Sequence, residues 1–376
     1  MKIRSLEDLM KLIRKMEFEK TEPELLYDLV RKSMELGAGE RERLRRISKK
    51  SYDLFKLLKD KGFLCTLEAS EEEISKIKKS PIGAVDGSFQ VVGGRGGRWY
   101  VVLGIAQVIA KNGFTLQPTI KVDGDIVPLE GDDEGDVRRR AEITMMLGEV
   151  KALRKVCRTL SELGSESYIL IDGPIMDPPL YAEKNYVSNR VNALRDCHER
   201  GVNVIGFVKR IMGNNYINYL SKEIDEDFSF FSNDLDLLST VMFNAVIEGA
   251  NPVYTSPIDY GEGIKEYERT PYAAYVKEGL RIYYSYYKPF SRGKIFRIEY
   301  ASFEDLSEQE LFEKFKKILS LINRVWTISG IDEPLLILIA HHKCNVRHGA
   351  AEKIYYEIMT RALSEGNIHL WLESLS

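Results

Sequence analysis

The chain has 376 residues, 44% of them hydrophobic and 30% charged, with a formal net charge of −3, enough apolar material for one large domain or two smaller ones. No run reaches the roughly 18 to 20 apolar residues that span a bilayer, and the acids in Met1-Lys2-Ile3-Arg4-Ser5-Leu6-Glu7-Asp8 are unlike a secretory signal, so the sequence reads as a soluble cytoplasmic protein with no membrane contact. Cys65, Cys157, Cys197 and Cys344 are too scattered for a zinc ribbon or a disulfide framework, and the overall charge leaves any nucleic-acid partner to a local basic patch.

Residues 1 to about 62 predict helices. Leu6, Leu9, Met10, Ile13 and Met16 fall at helical spacing, Pro23 suits a first turn, and Gly37 after Leu36 reads as a stop. A further helix is expected from about Glu40 to Lys61; its Arg41, Arg43, Arg45, Arg46, Lys49 and Lys50 favour a solvated face over a phosphate-contacting one.

From Pro81 the texture turns to strand. Ile82-Gly83-Ala84-Val85-Asp86 is an apolar run that ends on a carboxylate, with Gly87 as a turn and Ser88 as a hydroxyl behind it. Val85 to Val92, the glycine-rich Gly93 to Arg98 and Trp99 to Ala110 describe a hairpin with a long tip. The segment after those glycines is β-rich rather than helical, so the dinucleotide fingerprint lacks its context. One or two strands follow over Phe114 to Val127, then an acidic loop over Glu130 to Asp136, too irregular for an EF-hand.

A long helix is predicted from about Val137 to Leu163. It opens on Arg138, Arg139 and Arg140, carries Glu142 and Glu149 on one face, and continues with the cations Lys151, Arg154, Lys155 and Arg158. A glutamate on this face could join a carboxylate cluster, although helix-paired solvent positions are the commoner role. Tyr168-Ile169-Leu170-Ile171-Asp172-Gly173-Pro174 then repeats the design of the first strand. A lone Asp-Gly is usually turn chemistry; two copies at strand ends bring a shared site level with that reading, because open α/β sheets collect chemistry at strand carboxyl ends. Oxygen ligands there suit Mg2+ or Mn2+.

A proline-stiffened loop over Met176-Asp177-Pro178-Pro179-Leu180 leads to a helix through Arg200 and the strand Val202 to Val208, which ends on Lys209. Alternating strand and helix is the doubly wound pattern of an α/β fold. Asp234 heads a helix, where capping is its ordinary role. Tyr272 to Tyr300 is dense in tyrosine among Lys288, Arg292, Lys294 and Arg297, a pattern open to base stacking or to plain sheet packing. Ser307 and Glu310 form a capping box before an amphipathic helix. The apolar segment Pro334 to Ala340 ends on His341-His342 and leads through Arg347-His348 into a last helix, about Ala350 to Ser364. One of these histidines is a candidate metal ligand or acid–base group.

In order and spacing, Ala84-Val85-Asp86-Gly87-Ser88, Met145-Met146-Leu147-Gly148-Glu149-Val150-Lys151-Ala152, Leu170-Ile171-Asp172-Gly173-Pro174, Ile205-Gly206-Phe207-Val208-Lys209 and Ile339-Ala340-His341 together resemble the NurA family of nucleases over roughly residues 80 to 365. The resemblance implies an RNase H-like mixed sheet flanked by helices, with an N-terminal helical segment over 1–80 and a nuclease domain, including a C-terminal helical region, over 81–376. It makes Asp86, Glu149 and Asp172 metal-binding carboxylates and puts His341 near the scissile phosphate. Asp234 has a weaker claim to the metal site, with Asp236 as its alternative. The family's tyrosine eight residues before the histidine is Glu333 here.

Two Mn2+ or Mg2+ ions about 4 Å apart at such a cluster would serve an in-line phosphodiester displacement. Carboxylates so close repel one another, so without metal at least one should have a raised pKa. Arg138, Arg139, Arg140, Lys151, Arg154 and Lys209 are candidates to hold DNA phosphates. By resemblance the chain would be a 5′ to 3′ exonuclease and single-strand endonuclease in DNA end resection and double-strand break repair, a homodimer beside a HerA-like hexameric ATPase. The rival is a catalytically weak adaptor that clamps DNA and regulates that ATPase. A Ser88 hydrolase is disfavoured, because Asp-Gly-Ser-Phe-Gln lacks the glycine two places after the serine that a nucleophile elbow uses.

Overall fold

The computed structural model describes residues 22–363 apart from 69, 95–96, 115, 165, 177–182, 265–269 and 291–292. The helical expectation for residues 1–21, most of the 176–180 loop, Arg292 and Ser364 lie outside the described residues. In chain order the elements begin with α1 (Pro23–Asp60), β1 (Leu64–Thr66), α2 (Glu71–Ile77), β2 (Ile82–Gly93), β3 (Arg98–Phe114), β4 (Thr119–Glu130) and α3 (Glu134–Ser161). Then come β5 (Ser167–Asp172), α4 (Lys184–Glu199), β6 (Val202–Val208), α5 (Asn215–Glu223), α6 (Asp234–Ile247), β7 (Val253–Thr255) and β8 (Ile258–Asp259). The last are α7 (Pro271–Lys277), β9 (Arg281–Lys288), β10 (Phe296–Ser302), α8 (Glu308–Leu321) with a π turn at Ile322–Trp326, α9 (Leu335–Cys344) and α10 (His348–Leu363).

The strands form one mixed sheet in the order β1-β7-β9-β10-β6-β5-β2-β3-β4, with β8 beside β9. β2–β5 and β5–β6 are parallel and the other pairs antiparallel. Helices cover both faces, so the α/β class expected from the sequence is borne out. On one face Ile82, Ala84 and Leu170 pack with Ile337 and Ala340 of α9 and with α8. On the other, Val85, Ile169 and Ile171 pack with Val150, Leu153 and Val156 of α3 and with α4. Strands buried on both faces explain why β5 and β6 read as continuous apolar runs.

Two expected breaks, at Gly37 and at Gly87, are overturned. Gly37 and Gly39 lie inside α1, which runs unbroken to Asp60 and ends just ahead of Gly62 (φ +78°); one glycine costs a helix only about 1 kcal/mol. Before residue 80, β1 pairs with β7, and Ile47, Leu54, Phe55 and Leu58 of α1 share a core with α5 and α6. Gly87 makes no turn, for β2 continues past it with Gly87 paired to Ile105 of β3. The apolar run at 335–340 is the body of helix α9. Tyr283, Tyr284, Tyr286 and Tyr287 are buried sheet residues and offer no stacking surface.

Candidate metal site

Two aspartates meet because their strands are parallel neighbours. Val85 of β2 stands opposite Ile171 of β5, which brings the next residues, Asp86 and Asp172, side by side. β5 stops there: Gly173 (φ +137°) turns the chain aside, its N–H donating to the carbonyls of Ile171 and Phe207. β2 runs on, so a notch opens beside it at the carboxyl end of β5. Side chains alternate along a strand, and Asp86, in step with Ala84, faces α9.

α9 brings His341 to this notch. Leu336, Ile337, Ala340 and Cys344 bury one side of the helix, and Ser88 fastens its end: the hydroxyl donates to the Cys344 carbonyl (2.5 Å) and accepts from the Val346 N–H (2.8 Å). Gly104 of β3 is required here, since a Cβ would collide with the Cys344 carbonyl. His341 Nδ1 then lies 2.9 Å from Asp86 Oδ2 and 3.5 Å from Asp172 Oδ2. One ligand atom from each of Asp86, Asp172 and His341 falls within 4.8 Å of the others. Cys344 Sγ donates to Asp86 Oδ2 over 3.3 Å, and burial followed by the Asp86 charge pushes its thiol well up, so it stands in the site as a neutral thiol.

Glu149 comes from α3 on the opposite face. It is buried, and it approaches β2 at Gly87, where a Cβ would lie 2.8 Å from Glu149 Oε1 and 3.0 Å from its Cγ. The missing side chain at 87 is thus the space that Glu149 occupies. It is outside the three-residue group but near enough to add its charge to the field raising Cys344. Glu142, seven residues earlier on the same face, is only half-buried.

Asp172 also accepts from Lys209 Nζ at 2.9 Å, and the same ammonium lies 2.8 Å from Glu333 Oε2. Burial first, and then the Asp86 carboxylate, raise Asp172 above its ordinary value in spite of Lys209 and His341. This is the direction expected for crowded carboxylates without a metal. Burial pulls Lys209 the other way, and the two carboxylates outweigh it, so the lysine is held charged.

The remaining candidates sit elsewhere. Asp234 is fully buried among β9 and α5, accepting from the N–H groups of Tyr216 and Ile217 and from the Tyr286 hydroxyl. It caps the start of α5, three strands from β5, and both of its carboxylate oxygens accept from these donors. Asp236 is taken by Arg43 of α1 and the Ser232 N–H. Of the cations on α3, Arg138 is eleven residues before Glu149 and so on its face, about 16 Å back along the axis, with its guanidinium over the Phe89 ring. Lys151 lies about 200° round the helix from Glu149, away from the notch. Arg154 donates to the Asn189 carbonyl of α4 and Arg140 to the Glu130 carbonyl; Arg139 is exposed. Lys209 is in the site as a partner of carboxylates and not as an exposed phosphate contact. Cys344 and the fastening role of Ser88 were not foreseen, because an isolated cysteine or serine has no spacing to mark it.

A sequence model of the NurA domain matches residues 80–346. Among solved structures, the NurA nuclease from Sulfolobus solfataricus is similar at a TM-score of 0.59 and 14% identity, over 90% of this chain and 98% of that one. Endonuclease V from Ciona intestinalis, solved with inosine-containing DNA, gives a TM-score of 0.35 at 14% identity, over 83% of this chain and 99% of that one. The catalytic domain of human endonuclease V gives 0.35 at 12% identity, over 84% and 98%. No curated protein matches the chain in sequence.

Proposed function

The chain belongs to the NurA family, and from that premise we propose that it is a metal-dependent DNA nuclease working at the notch between β2 and β5. The observation that carries this reading is the convergence of Asp86, Asp172 and His341 within 4.8 Å. The two carboxylates supply the oxygen donors that suit Mn2+ or Mg2+, with the imidazole beside them, and the raised Asp172 is a charge conflict that a cation would resolve. In the two-ion arrangement that the resemblance implies, Glu149 would serve the second ion. A divalent cation bound there supplies positive charge to the scissile phosphate and makes water a better nucleophile at neutral pH.

The protein's own groups do the rest. Asp86 and Asp172 would hold the cation on two strands that cannot slide independently, and Ser88 keeps α9, and so His341, at a fixed distance. The His341 side chain is 54% exposed, so its ring reaches both the carboxylates and solvent and can move a proton at the ring nitrogen facing the substrate. Arg138, on the Glu149 face of α3, would hold a phosphate of the same strand.

By family resemblance, the reading extends to 5′ to 3′ exonuclease and single-strand endonuclease activity in end resection and double-strand break repair, in a cytoplasmic homodimer beside a HerA-like hexamer. The test is cleavage of labelled single-stranded and duplex DNA with Mn2+, Mg2+ or EDTA. Cleavage that needs the metal and stops with EDTA supports it; DNA binding without cleavage under any metal favours a clamping adaptor.

A further inference from the structure

Glu333 and Lys209 form a pair that a metal site does not obviously need. Lys209 ends β6 and reaches two carboxylates at once, Asp172 Oδ2 at 2.9 Å and Glu333 Oε2 at 2.8 Å. All three groups are largely shielded, with side-chain exposures of 25% for Lys209, 10% for Asp172 and 16% for Glu333. A shielded ammonium paired with Asp172 alone would neutralise the carboxylate that has to hold a cation. With a second anion on its other side, the lysine is already balanced, and Asp172 keeps its charge for the metal while one of its oxygens stays fixed in direction.

We propose that Glu333 is a positioning residue that anchors Lys209 so that Asp172 is oriented toward the metal without being neutralised. The inference rests on the metal-dependent reading of this site. Glu333 lies just ahead of α9, the helix that carries His341 at its far end, so the contact also ties both ends of that helix to the carboxylate pair. Partners of this kind, one step removed from a metal ligand, change metal affinity or activity by about 10- to 100-fold when lost.

Calorimetric titration of Mn2+ into the full chain tests this, with single-turnover cleavage as a second readout. Glu333→Gln, close in shape to the native side chain, should weaken Mn2+ binding about 10-fold or more, while Glu333→Asp, which keeps the charge, should retain most of the affinity. Because Glu333 acts through Lys209, adding Glu333→Gln to Lys209→Met should change the dissociation constant less than about twofold. Glu333→Gln binding Mn2+ like the wild type overturns the proposal, as does a double variant in which the two effects multiply. Lower thermal stability with unchanged Mn2+ affinity would show a merely structural role and overturn it too. Asp86→Ala separates the two claims: if it binds Mn2+ like the wild type, the metal site itself is misassigned; if it loses binding while Glu333→Gln does not, only the positioning role falls.

Discussion

At position 87 a glycine sits within a regular strand, and its use is space. A Cβ would come within 3.0 Å of Ile105 and of Glu149, so Gly87→Ala must displace the carboxylate or push α3 off the sheet. Overpacking of this kind costs about 1–3 kcal/mol, and we expect cleavage at saturating Mn2+ to fall at least 10-fold in a protein that remains folded by circular dichroism. Unchanged cleavage would mean that Glu149 is not needed at the notch. Asp234 makes the opposite prediction. Asp234→Ala strands three donors and should cost about 1–3 kcal/mol, yet leave Mn2+ affinity as it was. Burial raises the Asp234 carboxyl against the pull of the Ile217 and Tyr216 N–H groups and the Tyr286 hydroxyl. The folded chain therefore keeps a proton that the unfolded chain releases near pH 4. Its contribution to stability is present in full below that pH and is lost as the pH rises through the higher folded value. Denaturant midpoints measured upward from pH 4 should fall less steeply for Asp234→Asn than for the wild type.

At the scale of elements, what could be read from the sequence follows from how local the cause is. β5 and β6 are visible because burial on both faces makes them continuous apolar runs, and the capping box at Ser307 and Glu310 is present as expected. Gly87 after Asp86 looks like a turn because the local signal is a turn signal; the twelve-residue pairing of β2 with β3 overrides it, and that pairing is long-range. Glu142 and Glu149 share a helix face, so spacing alone cannot choose between them, whereas depth in the packed structure does. Asp234 caps a helix that precedes it in sequence, which no local rule anticipates. α9 is apolar on most sides and shows no helical period, so its docking depends on contacts such as that of Ser88. Ser88→Ala removes both bonds to the 344–346 segment and should lower stability by about 1–3 kcal/mol. Single-turnover cleavage should fall as well, because His341 is no longer held at Asp86; a variant destabilised to that extent but fully active would show that α9 docks without Ser88.

For the whole molecule, the sheet is longer than its site requires. The β2-β3-β4 ribbon extends beyond the end of β5, and Asp86, Asp172 and His341 gather where that ribbon leaves the parallel strands. Asp86 is the point at which the arrangement closes, for it touches His341, Cys344 and the space shared with Asp172. It faces α9, whereas α3 with its cations packs on the other side of β2, so metal binding and phosphate holding should separate when it is changed. The most direct measurement compares Asp86→Ala with the wild type on a labelled single-stranded oligonucleotide, following cleavage with Mn2+ and binding in EDTA. The predicted result is loss of cleavage with DNA affinity within a few-fold of the wild type and an unaltered circular dichroism spectrum. Cleavage that persists in the folded variant would contradict the metal site; loss of binding and cleavage together would place Asp86 in DNA clamping instead.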